Sequence, residues 1–203
     1  MGGRRAEEVV AAALAVAARD GLDRLSMRAV AAEIGVTVMA LYRHVPGKEA
    51  LLDAMVGRLL AQIALPGDDL PWRDALRHVA HEMLALARRY PTVLPLLLTR
   101  AYVAPEAVRL VRRLYAILDR AGVPQTQIFR LERMYSTFLL GFTVSVANDA
   151  FWAEDPTSLA VDQPPRGATG SRPDQWDREL DADVASFCAV VEAAVEAAAA
   201  GCR

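Results

Sequence analysis

Residues 25–52 read LSMRAVAAEIGVTVMALYRHVPGKEALL, and the punctuation inside this stretch decides the fold. Ser26 and Thr37 each stand before a short apolar-periodic run, where a hydroxyl can accept an orphan backbone N–H at a helix start. Gly35 separates the two runs, and Pro46-Gly47 separates the second from a third that begins at Lys48. The spacing predicts a helix after Ser26, a turn, a short helix after Thr37, another break and a supporting helix to about Ile63. That order is a helix-turn-helix. At helical spacing Met27, Val30, Ala31 and Ile34 face inward from the first run, while Val36, Leu41 and Val45 pin the short one. Val38, Met39, Ala40 and Arg43 are left outside. A water-facing surface bearing Val38 and Met39 needs a cover, and base edges in a major groove, the thymine methyl among them, supply one.

Upstream, a helix is expected from about Arg5 to Asp20, ending at Gly21, with Val9, Val10, Ala13, Leu14 and Ala17 on one face. Arg4 and Arg5 ahead of this run imitate a signal peptide, but Glu7 and Glu8 interrupt the pattern, so an amphipathic helix is expected instead. Downstream, Pro66-Gly67-Asp68-Asp69 closes the first unit. Beyond it the pattern predicts helices over about Trp72 to Tyr90, Pro91 to Tyr102, Pro105 to Ala121, Gln125 to Trp152 and Leu180 to Ala200. The stretch 153–176, with Pro156, Pro164, Pro165, Gly167, Gly170 and Pro173, reads as a mobile loop. Strand signals are almost absent. The expected class is therefore all-α, with nine or ten helices in two domains, 1–64 and 65–203.

Composition narrows the function. The 203 residues are 54% hydrophobic and 24% charged, which are globular proportions and exclude a mostly disordered or collagen-like chain. A net charge of -2 gives no global positive field, so any contact with phosphate must come from local placement. Cys188 and Cys202 lie ~21 Å apart if one helix carries both, too far to bridge, and a reducing cytoplasm is expected. The apolar stretch Phe138 to Ala147 is far short of the ~20 residues of a membrane span. No Ser, Cys or His arrangement suggests a nucleophile, so neither an enzyme nor a cofactor is expected. His78 and His81 in HVAHE could put two imidazoles on one helix face, yet no second ligand pair accompanies them, and no metal is assigned.

With Gly35-Val36-Thr37, Leu41-Tyr42 and Lys48-Glu49-Ala50-Leu51-Leu52 in these positions, the stretch Arg5 to Ile63 resembles the DNA-binding domain of the TetR family of transcriptional regulators. The later domain resembles the tetracycline-repressor branch more loosely. The resemblance implies a three-helix helix-turn-helix domain followed by a larger helical ligand-binding and dimerisation domain. It implies that Arg28, Val38, Met39 and Ala40 read bases, that Thr37, Tyr42, His44 and Lys48 hold phosphates, and that Arg43 shares the exposed face. The chemistry of these residue types suits those roles, since Arg can grip a guanine edge and Tyr and Lys can donate to a backbone oxygen. Lys48 is the only lysine of the chain.

The same resemblance implies a homodimer on a double-stranded DNA operator, released by a small-molecule inducer, with no membrane partner. His78, Met83, Leu86, Leu97, Tyr102, Tyr115, Met134, Phe138 and Phe142 are the candidate ligand-binding residues, although ordinary core packing accounts for such side chains equally. Where tetracycline repressors carry a metal-binding histidine, this chain has Leu94-Pro95-Leu96-Leu97-Leu98-Thr99, so an apolar, partly aromatic ligand is expected rather than magnesium-bound tetracycline. Two other readings stand behind this one: a regulator of the same type that answers a protein partner, and a helical metalloenzyme.

Charge is distributed unevenly. Arg73 to Arg133 holds 11 arginines against five acids, and Asp149 to Glu196 holds 11 acids against three arginines. Asp177, Glu179, Asp181 and Asp183 are therefore expected to lie against Arg109, Arg112 and Arg113, or against the same arginines of a dimer mate.

Overall fold

The computed structural model describes residues 2–100, 104–148 and 173–201. Among them are α1 (Gly2–Asp20), α2 (Met27–Glu33), α3 (Val38–Tyr42), α4 (Lys48–Leu60), α5 (Trp72–Arg89), α6 (Leu96–Arg100), α7 (Pro105–Arg120), α8 (Gln125–Asn148) and α9 (Pro173–Gly201). A 3-10 turn, Leu22–Arg24, joins α1 to α2, and no strand occurs among these residues. The chain forms two compact units, one of residues 1–63 with 90–109 and one of 64–89 with 110–203.

In the first unit the caps read from the sequence are made. Ser26 Oγ accepts the Ala29 N–H and Thr37 Oγ1 accepts the Ala40 N–H, each at 3.2 Å. Gly35, at φ +67°, makes the left-handed turn between α2 and α3 that a side chain would resist. α1 packs on α2 and α4, and α6 packs on α4. Ala13, Val16 and Ala17 of α1 and Leu51, Met55, Val56 and Leu59 of α4 are wholly buried, the stripe expected of amphipathic helices. Arg109 Nη2 reaches the Leu60 and Ile63 carbonyls at 3.5 and 3.4 Å, a cation at the C-terminal end of α4.

In the second unit α5 packs on both α8 and α9. Tyr135 is fully buried, stacks 4.8 Å from Phe187, and donates its hydroxyl to the Leu76 carbonyl at 2.6 Å. Burial pushes its phenol far above the ordinary range. Burial likewise raises the thiol of Cys188. Arg73 on α5 pairs with Glu192 on α9. Asp68, in the segment before α5, accepts from Arg113 at 2.5 Å, which holds its carboxyl below the usual range.

Three expectations need correction. Of the helix expected over Pro91 to Tyr102, the described residues are helical at Leu96–Arg100 and form turns at 91–95, and residues 101–102 lie outside the described residues. The last helix begins at Pro173 rather than near Leu180, so residues 173–176 of the expected loop are helical and Trp176 is buried. Proline is well suited to a first helical position, where it needs no N–H partner, which is why Pro173 starts a helix instead of extending a loop. The rest of that expected loop lies outside the described residues except as it meets α9. Finally, among the described residues no ion pair joins the acids of α9 to Arg112 or Arg113. Asp177 pairs with Arg88 at 2.8 Å and Asp181 with His81 at 2.8 Å, both on α5, because α5 is the helix that packs against α9.

Tyr135→Phe removes a buried donor, and the Leu76 carbonyl keeps only its partner within α5. Urea denaturation should show a loss of about 1–2 kcal/mol with an unchanged slope.

Candidate nucleic-acid interface

α3 has five residues, too few to be helical alone, and it is held from both sides. Thr37 caps its start, and Leu41 and Val45, both buried, anchor its inner face. The outer face is open. Met39 is 75% exposed and Tyr42 45% exposed, with Val38 and Ala40 half-buried beside them. Val36 is a correction: expected to pin α3 from within, it is 38% exposed, because the turn after Gly35 carries it to the surface.

Arg28 on α2, Arg43 after α3 and Lys48 at the start of α4 are all exposed, and His44 is half-buried. None of the three permanent cations has an acidic partner among the described residues. The acids nearby are occupied. Glu33 pairs with Arg19 of α1 at 3.0 Å, and Glu49 and Asp53 both pair with Arg100 of α6, the latter at 2.8 Å. These carboxylates hold the guanidiniums of Arg19 and Arg100 above their ordinary range, Arg19 through Asp20 first and Arg100 through Glu49 first. The sequence singles out neither arginine, since Glu33 lies 14 residues from Arg19, and Asp53 and Glu49 lie 47 and 51 residues from Arg100.

The candidate ligand residues are spread more widely. Met83, Leu86, Leu97 and Phe142 are buried, Tyr115 and Phe138 half-buried, and Met134 is 43% exposed on α8. Leu97 belongs to the first unit and the other described ones to the second. Tyr102 lies outside the described residues. His78 Nε2 is 2.8 Å from the Ala64 carbonyl, and Glu82 accepts the Ala64 N–H at 2.8 Å, so the pair fixes the chain entering α5.

Phe138 and Phe142 belong to a run of rings that continues to Trp176: Tyr135 to Phe138 at 6.3 Å, Phe138 to Phe142 at 5.9 Å, and Phe142 edge-on to Trp176 at 5.5 Å. Trp176 falls in the expected loop, although Trp176, Leu180, Val184, Phe187 and Val191 form one buried helical stripe along α9. A groove of about 540 Å³ in the first unit is lined by Glu7, Asp53, Arg58 and Glu106 together with Val10, Gly57 and Ala104. Among the described residues no group of His, Cys, Asp and Glu could hold a metal, and no helix is long and apolar enough to cross a membrane.

The model for bacterial regulatory proteins of the tetR family matches residues 9–55, and that for the tetracyclin repressor-like C-terminal domain matches 65–166. The chain belongs to the tetR family of transcriptional regulators.

Among its tetR relatives, the HTH-type transcriptional repressor DrrR1 of Streptomyces coeruleorubidus is 37% identical over 66% of this chain and 51% of its own. The chain spans about half to three fifths of the curated relatives it matches first. Apo ActR of Streptomyces coelicolor shares the fold, at 18% identity and a TM-score of 0.76 over 95% of this chain and 97% of ActR. BioQ, solved with its natural double-stranded DNA operator, is 26% identical with a TM-score of 0.65 over 70% of this chain and 87% of BioQ.

Thr37→Ala, which removes the cap of α3, should cost about 1 kcal/mol in thermal or urea unfolding. Met39→Ala should leave stability within about 0.5 kcal/mol, because three quarters of the residue faces solvent. An equal loss for both would contradict the exposed placement of Met39.

Proposed function

We propose that this tetR-family protein is a homodimeric repressor that binds a pseudo-palindromic operator and leaves it when a small apolar or aromatic ligand binds. The observation that carries the reading is the exposure of Met39 and Tyr42 on α3 among Arg28, Arg43 and Lys48, none of them paired to an acid among the described residues. Apolar side chains and unpaired cations on one surface match the two components of a DNA contact, base edges and phosphates. Arg28, Val38, Met39 and Ala40 read bases. Thr37, Tyr42, His44 and Lys48 hold the backbone, and Arg43 contributes charge to the same face.

One short recognition helix makes few base contacts, so two protomers are needed, with half-sites roughly 34 Å or a multiple apart. The exposed apolar residues Phe129 and Met134 on α8 and Val190 on α9 supply a surface for that pairing. Residues 1–64 serve DNA and 65–203 serve ligand and dimer. The run of rings from Tyr135 to Trp176 supports an aromatic ligand, as does the binding of actinorhodin by the fold neighbour ActR. A protein partner in place of the ligand is the second reading, distinguished by the absence of release with any small molecule.

In a gel shift on the DNA upstream of its gene, two protomers should bind each site. Lys48→Ala should weaken every duplex alike and flatten the salt dependence by about one unit, whereas Arg28→Ala and Met39→Ala should lower discrimination among operator variants. An unchanged salt slope for Lys48→Ala would remove its phosphate role.

Magnesium-bound tetracycline should not release the protein, because Leu94 to Thr99 offers the hard cation no histidine or carboxylate. Release that required magnesium would contradict this.

A further inference from the structure

Between Ser26 and Asp53 the chain carries three bases, Arg28, Arg43 and Lys48, and three acids, Glu33, Glu49 and Asp53. By sequence alone this segment is neutral, an unfavourable balance for a surface meant to meet phosphate. The structure sorts the charges. All three acids are paired, each to an arginine outside the segment, and all three bases are unpaired among the described residues. Two of the acids share a single partner, Arg100 at the end of α6, whose Nη1 meets Asp53 at 2.8 Å and whose Nη2 meets Glu49.

Arg100 is also the better placed of the two arginines to matter. Its side chain is 22% exposed against 57% for Arg19, so solvent screens its pairs less. Glu49, by contrast, is 76% exposed and follows Lys48 directly in the first turn of α4. A free carboxylate there would oppose Lys48 at a phosphate, while the same carboxylate bound to Arg100 is neutralised.

We infer that Arg100 is a positioning residue for DNA binding: it neutralises Glu49 and Asp53 so that the segment from Ser26 to Asp53 presents a positive surface. The inference rests on the DNA-binding reading above and adds to it a residue that touches no DNA itself. The competing role is a purely structural one, in which Arg100 fastens α6 to α4 and its charge is irrelevant to phosphate.

The two are separated with the full-length protein, a fluorescein-labelled 30-base-pair duplex of mixed sequence, and fluorescence anisotropy at 50 and 150 mM salt. Arg100→Gln should weaken binding about threefold or more at 50 mM, with a smaller effect at 150 mM. Adding Glu49→Gln and Asp53→Asn to it should bring affinity back to within about twofold of the parent, even if the melting temperature stays low. With Arg100 intact, the Glu49→Gln, Asp53→Asn protein should bind about threefold tighter than the parent.

Unchanged affinity for Arg100→Gln would overturn the inference, as would a triple variant no better than Arg100→Gln. If Arg100→Gln does not fold, the double variant decides: tighter binding supports the role, and equal or weaker binding refutes it. Should the parent protein fail to bind the duplex at 50 mM salt, the DNA-binding reading itself falls, and this inference with it.

Discussion

The packing of α4 against α1 is the constraint on which the DNA-facing surface depends. Helices α2 and α3 have seven and five residues, lengths at which an isolated helix does not persist in water. They exist because the buried row Leu51, Met55, Val56 and Leu59 on α4 meets the small, closely packed face of α1, and Leu25, Val30 and Leu41 close onto the core so formed. With that core fixed, Thr37 has only to cap α3 and Leu41 to anchor it, and Met39 and Tyr42 are held outward at no cost to the interior. The exposed pair is thus a product of rigidity beneath it.

A second constraint is electrostatic. A protein with a net charge of -2 cannot attract DNA through its overall field, so its interface must be made positive locally. The tertiary fold does this by subtraction: Arg19 and Arg100 occupy the acids of the segment, and the bases remain open. The second unit uses its charges differently. There His81 and Arg88 on α5 face Asp181 and Asp177 on α9, and Arg73 faces Glu192, so the acidic last helix is laid along the helix it packs on.

Local features were legible in the sequence, and long-range ones were not. Ser26, Gly35 and Thr37 announced the helix-turn-helix because caps and left-handed turns are chosen by residue type within three or four positions. The apolar stripe of α1 follows from period alone. The starts of α6 and α9 depart from expectation for the opposite reason. Pro91, Pro95 and Pro173 each permit either a turn or a helix start, and neighbours in space decide which. Val36 was assigned inward from spacing, yet a single positive φ at Gly35 redirects it. The partners of the α9 acids depend on which helix lies alongside, something that counting charges along the chain cannot supply. The same holds for Arg100, whose role exists only once α6 and α4 are side by side.

The central claim is that the surface formed by α2, α3 and the first turn of α4 is where this regulator meets DNA. Hydrogen exchange of the intact protein, followed peptide by peptide with and without the duplex from upstream of its gene, tests this directly. The account predicts slowed exchange within residues 26–51 when DNA is present. Unchanged exchange there, with protection instead in residues 64–89 or 173–201, would contradict it.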